Sequence, residues 1–125
     1  MSEVHLSIGT LPFLIEAVAV RCGTDWSVTI GGGERFHIGA CAVGYMHPSL
    51  KNPEKSTGTV SVMTLPGHKE DELARSAALT LAKALQTTVI VTVGIHIEQA
   101  TGEDIQKIVT LFKELVAKLA KALED

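Results

Sequence analysis

A chain of 125 residues with 46% hydrophobic content is long enough for one domain with a real core, residues 1–125, and too short for two. A formal charge of −3, with no Lys/Arg cluster before the C-terminal helix, excludes a nucleic-acid binder, because a phosphate backbone needs a basic footprint. No basic leader precedes an apolar run and no apolar segment nears twenty residues, so no membrane span is expected and the protein is read as cytoplasmic.

From Glu3 to Ile8, Val4, Leu6 and Ile8 alternate with Glu3, His5 and Ser7, the period of a half-exposed strand with His5 on its solvated side. Leu14 to Cys22 and Trp26 to Ile30 are the second and third strands, and Gly23-Thr24-Asp25 between them has the chemistry of a hairpin turn. Gly31-Gly32-Gly33-Glu34-Arg35 reads either as a hairpin loop to the next strand or as a glycine loop lying against a ligand, with Arg35 placed to pair with a phosphate or carboxylate. The fourth strand, Phe36 to Tyr45, carries Gly39, Ala40, Ala42 and Gly44, so a helix, another subunit or a flat ligand packs close to it. Cys22 and Cys41 lie in strand-like runs and are expected as buried free thiols. Aromatic residues are scarce, which leaves Trp26, Phe36, Tyr45 and Phe112 as core filler or as stacking surfaces.

Met46 to Ser56, with two prolines and two lysines, is a loop, functional or merely connecting. From Thr57 to Leu65 the period is two; after Pro66-Gly67 the apolar set Leu73, Ala77, Leu81, Leu85 steps by four, giving strand, tight turn and helix. The turn leaves N–H groups of the helix start free for an anion. Gly67 permits close approach there, and His68 and Lys69 add donors. The acidic run Glu70, Asp71, Glu72 supplies negative charge to the same helix end, so ordinary punctuation is the competing reading. Thr87 to Ile97 is a sixth strand whose near-continuous apolar content predicts burial on both faces. Thr101 caps a last helix, with Asp104 three residues on. Its stripe of Ile105, Ile108, Phe112, Leu115, Leu119 and Ala122 faces the sheet, and Lys107, Lys113, Lys118 and Lys121 face solvent.

The element order predicts an α/β (α+β) fold in which an antiparallel meander is followed by a β-α-β-α unit, forming one mixed sheet with two helices packed on it. In the β-α-β crossover the fifth and sixth strands run parallel, so Gly67-His68-Lys69 and His96-Ile97-Glu98 emerge at one sheet edge beside both helix starts. A fourth strand antiparallel to the fifth brings Arg35, His37 and the glycine loop to that edge. His37, His68, His96, Arg35 and Lys69 then form an anion site with titratable groups, or alternatively a histidine cluster for a divalent metal. No HxH or HxxxH spacing supports the metal, and no Ser-His-Asp or Cys-His arrangement can be assembled.

Leu65-Pro66-Gly67-His68-Lys69-Glu70-Asp71-Glu72-Leu73-Ala74 and Val93-Gly94-Ile95-His96-Ile97-Glu98-Gln99-Ala100-Thr101, with the small-residue strand His37-Ile38-Gly39-Ala40, make the chain after Phe36 similar to a known family. It resembles the prenylated-flavin chaperones, LpdD-like domain proteins that are small partners of UbiD-type decarboxylases. The resemblance implies a fold like that of proteasome-assembly chaperones and commonly a homodimer without catalytic turnover. It also implies that the chain binds prenylated FMN, or FMN, and helps its maturation or delivery to the decarboxylase. On that reading the flavin phosphate suits Gly67, His68 and Lys69, and the ring suits the small-residue surface around Gly39. A protein-interaction scaffold of assembly-chaperone type is the alternative.

Overall fold

The computed structural model of the chain describes residues 1–67 and 70–124. Its elements are β1 (Glu3–Ile8), β2 (Ile15–Cys22), β3 (Asp25–Gly33), β4 (Arg35–Pro48), β5 (Ser56–Thr64), α1 (Asp71–Leu85), β6 (Val89–His96) and α2 (Gly102–Ala122). All six strands form one mixed sheet in the order β1-β2-β3-β6-β4-β5. The expected architecture is present, and β5 and β6 do run parallel, each antiparallel to β4, which lies between them.

Strand periodicity decides which face the helices cover. Ile15, Ala17 and Ala19 of β2, Trp26, Val28 and Ile30 of β3, Val89, Val91 and Val93 of β6, and Ala40 and Ala42 of β4 are buried in a single core. Helix α1 lies over β4, β5 and β6, and α2 over β1 and β2, with the two helices touching. Why α1 can approach β4 so closely is clear at Gly44: a Cβ there would stand 2.5 Å from the carbonyl oxygen of Ala78. The small residues of β4 therefore serve a helix, packed against Ala74, Ala77 and Ala78 of α1.

Helix α2 begins as its sequence dictates. The Thr101 hydroxyl accepts from the Asp104 N–H at 3.1 Å, and Asp104 Oδ2 accepts from the Thr101 N–H at 3.0 Å, completing a capping box. Thr101→Ala is expected to cost about 1 kcal/mol, measurable as a lower urea midpoint at unchanged m.

Three expectations are corrected. The glycines 31–33 are no loop but the buried end of β3, because β6 inserts between β3 and β4. The sixth strand is covered on one face only: Val89, Val91 and Val93 are inside, whereas Ile90 is 37% exposed, since among the described residues no helix lies over the other face. Cys22 and Cys41 are free, but Cys22 is exposed at the end of β2 and Cys41, at intermediate burial, lies on the uncovered face. That face also leaves Tyr45 and Met63 exposed, with Ile38 exposed beside them on β4.

Candidate functional site

One residue, Glu34, separates β3 from β4, yet the two strands do not pair along their length, because β6 lies between them. Gly33 and Arg35 are both register partners of His96, so the turn straddles the end of β6. Only glycine suits this turn: Gly33 has φ +76°, and a Cβ on it would overlap the carbonyl oxygen of His96. The Glu34 N–H donates to that same oxygen at 2.7 Å, and Glu34 Oε1 accepts from the Glu98 N–H at 2.9 Å.

Just inside this turn β4 departs from regular pairing. Phe36 is opposite Ile95 and Ala40 is opposite Val93, so His37, Ile38 and Gly39 face the single residue Gly94. The bulge brings the His37 carbonyl against Gly94, where a side chain would overlap it. His37 Nε2 lies 3.2 Å from Glu70 Oε1, and these side chains are only 14% and 11% exposed. Glu70 covers Gly39 so closely that a Cβ on that glycine would overlap Oε2. The Leu65 N–H donates to the Gly39 carbonyl at 2.9 Å, tying the chain that leaves β5 to the bulge.

The predicted edge thus brings together Arg35, His37, Gly39 and His96. The His37 and His96 rings are 6.4 Å apart and close to perpendicular. Gly67 lies in the turn after β5, exposed, with φ +81° and open space where a Cβ would be. His68 and Lys69 lie outside the described residues. Gly39 does not offer a bare surface to a flat ring, since Glu70 occupies it. Among the described residues no three His, Cys, Asp or Glu side chains converge as metal ligands.

Two carboxylates that sequence reasoning left as charge are partners here. Glu70 occupies the N-cap position of α1, caps no N–H with its side chain, and turns to His37 instead. Nothing in its sequence setting separates it from Asp71 and Glu72; only the bulge gives it a histidine to face. Glu98 Oε2 is 2.8 Å from His96 Nε2, and this hydrogen bond, followed by the imidazole's charge and that of Arg35, holds its carboxyl below the ordinary 4.5. Because the folded value is the lower one, the pair's contribution to stability is present above about pH 4.5 and fades as pH falls through the folded value. In His96→Gln the Glu98 carboxyl is expected to titrate closer to its ordinary value, as read from side-chain carbon chemical shifts against pH.

Beside this edge a cleft of about 620 Å³ opens between the first halves of α1 and α2, over the end of β6. Leu73, Ile95, Ile97, Ile105, Ile108, Val109 and Phe112 make its wall apolar, while Glu70, Glu72, His96, Asp104 and Lys113 mark its polar boundary. The sequence stripe on α2 contains Ile105, Ile108 and Phe112 but turns them all toward the sheet. Ile105, at 57% exposure, stands at the cleft instead.

A single mixed six-stranded sheet with both helices on one face, and a roomy cleft between their starts, defines a two-layer α+β domain. The fold is similar to a chain in the crystal structure of a chaperone complex for yeast 20S proteasome assembly: TM-score 0.60, 13% identity, covering 98% of this chain and 97% of that one. At that identity the likeness is one of fold. A family model, the prenylated flavin chaperone LpdD-like domain, matches residues 9–124, and the chain belongs to that family. No curated protein sequence matches it.

Proposed function

We propose that this chain is a non-catalytic binding protein for prenylated FMN, or FMN, that assists maturation of the cofactor or delivers it to a UbiD-type decarboxylase, acting as a cytoplasmic homodimer. Family membership supports the cargo. The observation that carries the reading is the cleft: about 620 Å³, mostly apolar, and with His96 on its boundary at the edge that also carries Arg35 and His37, it has the size and polarity of a small-molecule site.

The residues present fit the cargo in two parts. An apolar wall suits a flavin ring bearing a hydrocarbon group, and the buried Glu70 Oε2, which has no hydrogen-bond partner among the described residues, suits a ligand donor. Arg35, Gly67, His68 and Lys69 are assigned to the phosphate, and His37, Gly39 and His96 to the ring end, with Gly39 acting by admitting Glu70. Among the described residues no helix is long and apolar enough to cross a membrane.

The uncovered sheet face, with Ile38, Tyr45, Met63 and Ile90 exposed, supports pairing with a second copy, because β6 carries apolar residues on both faces and this chain buries one. The combined substitution Ile38→Glu, Met63→Lys is expected to convert dimer to monomer in sedimentation velocity. The same face is what favours a second reading, a protein-interaction scaffold that holds no cofactor.

Purification from cells that make prenylated FMN separates the two. The carrier reading expects a flavin-like absorption spectrum and a released ligand of the cofactor's mass, both lost in His68→Ala or Lys69→Ala. Colourless protein that also takes up no added prenylated FMN would establish the scaffold instead.

A further inference from the structure

Glu70 is an unusual residue to bury. It is 8% exposed, and while Oε1 faces His37, Oε2 has no hydrogen-bond partner among the described residues. A carboxylate is an acceptor on both oxygens, and leaving one buried without a donor is costly, so this side chain calls for a donor that the described residues do not supply. Glu70 also forms part of the cleft wall. An apolar cleft and a lining residue whose carboxylate is not fully satisfied by the described residues therefore coincide.

We infer that the cleft between α1 and α2 holds the ring end of the flavin, its hydrocarbon group against Ile105, Ile108 and Phe112, and that the Glu70 carboxylate accepts a hydrogen bond from the ring's imide N–H. The phosphate remains outside. The inference rests on the carrier reading above and adds to it the orientation of the cargo.

Charge sets that orientation. Among the described residues the cleft's boundary carries the carboxylates of Glu70, Glu72 and Asp104 against the ammonium of Lys113 and the imidazole of His96. Asp71 and Glu72 also already supply negative charge to the start of α1, and Asp104 does so at the start of α2, where a phosphate would otherwise be drawn. A dianion moved inside would meet repulsion from these carboxylates, whereas a neutral ring would meet apolar wall and one acceptor. Ile105 reports the same preference from the hydrocarbon side. It is 57% exposed at the cleft, a large apolar side chain that a bound hydrocarbon would cover.

The test is calorimetric titration of the full chain with prenylated FMN and with its N3-methyl derivative, in which the imide donor is removed. Ile105→Glu is expected to weaken prenylated FMN at least tenfold while the melting temperature stays at the wild-type value, since this position is already in water. N3-methylation is expected to weaken binding to the wild type about tenfold and to make less than a twofold difference in Glu70→Leu, where no acceptor remains. Unchanged affinity in Ile105→Glu, or an equal methyl penalty in both proteins, overturns the inference and leaves the carrier reading standing. If Glu70→Leu does not fold, Ile105→Glu decides alone. A wild type that binds no prenylated FMN overturns the carrier reading itself, and this inference with it.

Discussion

Gly94→Ala is expected to lower stability by about 3 kcal/mol or more and the melting temperature by about 10 °C. An added Cβ would overlap the carbonyl oxygen of His37 and crowd the N–H group of Ile38. Both neighbours are backbone, so no rotamer change relieves the overlap, and β4 must draw away from β6 at the bulge. That movement also withdraws His37 from Glu70, which links the stability loss to the site. Gly102→Ala is the matched control, because nothing lies within 4 Å of a Cβ at that position. It is expected to be neutral or stabilising by about 0.5 kcal/mol. Urea unfolding of both variants gives the comparison, and a Gly94→Ala midpoint equal to wild type would sink the claim that the bulge is held this tightly.

Phe112→Ala should cost about 3–5 kcal/mol, a large share of the roughly 5–15 kcal/mol that holds a domain of this size together. Phe112 is 1% exposed, the largest fully buried side chain, and belongs to the core that joins α2 to the sheet. Few aromatic residues are available to fill its space in a chain whose core is largely alanine and valine, so collapse around the gap is limited. Its ring also borders the interhelical cleft on one side and a smaller hollow, lined by Ser76, Thr80 and Val116, on the other. Truncation is therefore expected to merge the two spaces. Denaturant unfolding measures the stability loss, and uptake of a small apolar probe such as benzene, absent in wild type, reports the merged volume.

Most of the element list is legible in the chain before any folding. Alternation marks β1, β2 and β5, the four-residue apolar step marks α1, and Thr101 with Asp104 marks the start of α2. These signals are local: a strand's period, a helix's apolar stripe and a cap each depend on residues a few positions apart. Chain connectivity extends them one step further. A crossover from β5 through α1 to β6 places His96 and the start of α1 at one edge, and an antiparallel β4 adds Arg35 and His37 there.

Tertiary structure alone decided the rest. That β6 lies between β3 and β4 follows from pairing strands far apart in the chain, Trp26 with Val89 and Gly44 with the same Val89, which no local pattern encodes, and it turns a run of three glycines from a loop into the end of a buried strand. The same pairing crowds three residues of β4 opposite Gly94, turns His37 inward, and makes Glu70 its buried partner while Asp71 and Glu72 remain at the surface of the helix start. Even the small residues of β4, which signal close approach by something, leave the identity of that something open. Gly44 meets a helix and Gly39 meets a carboxylate, because a missing Cβ specifies room and only the packed neighbours determine what fills it.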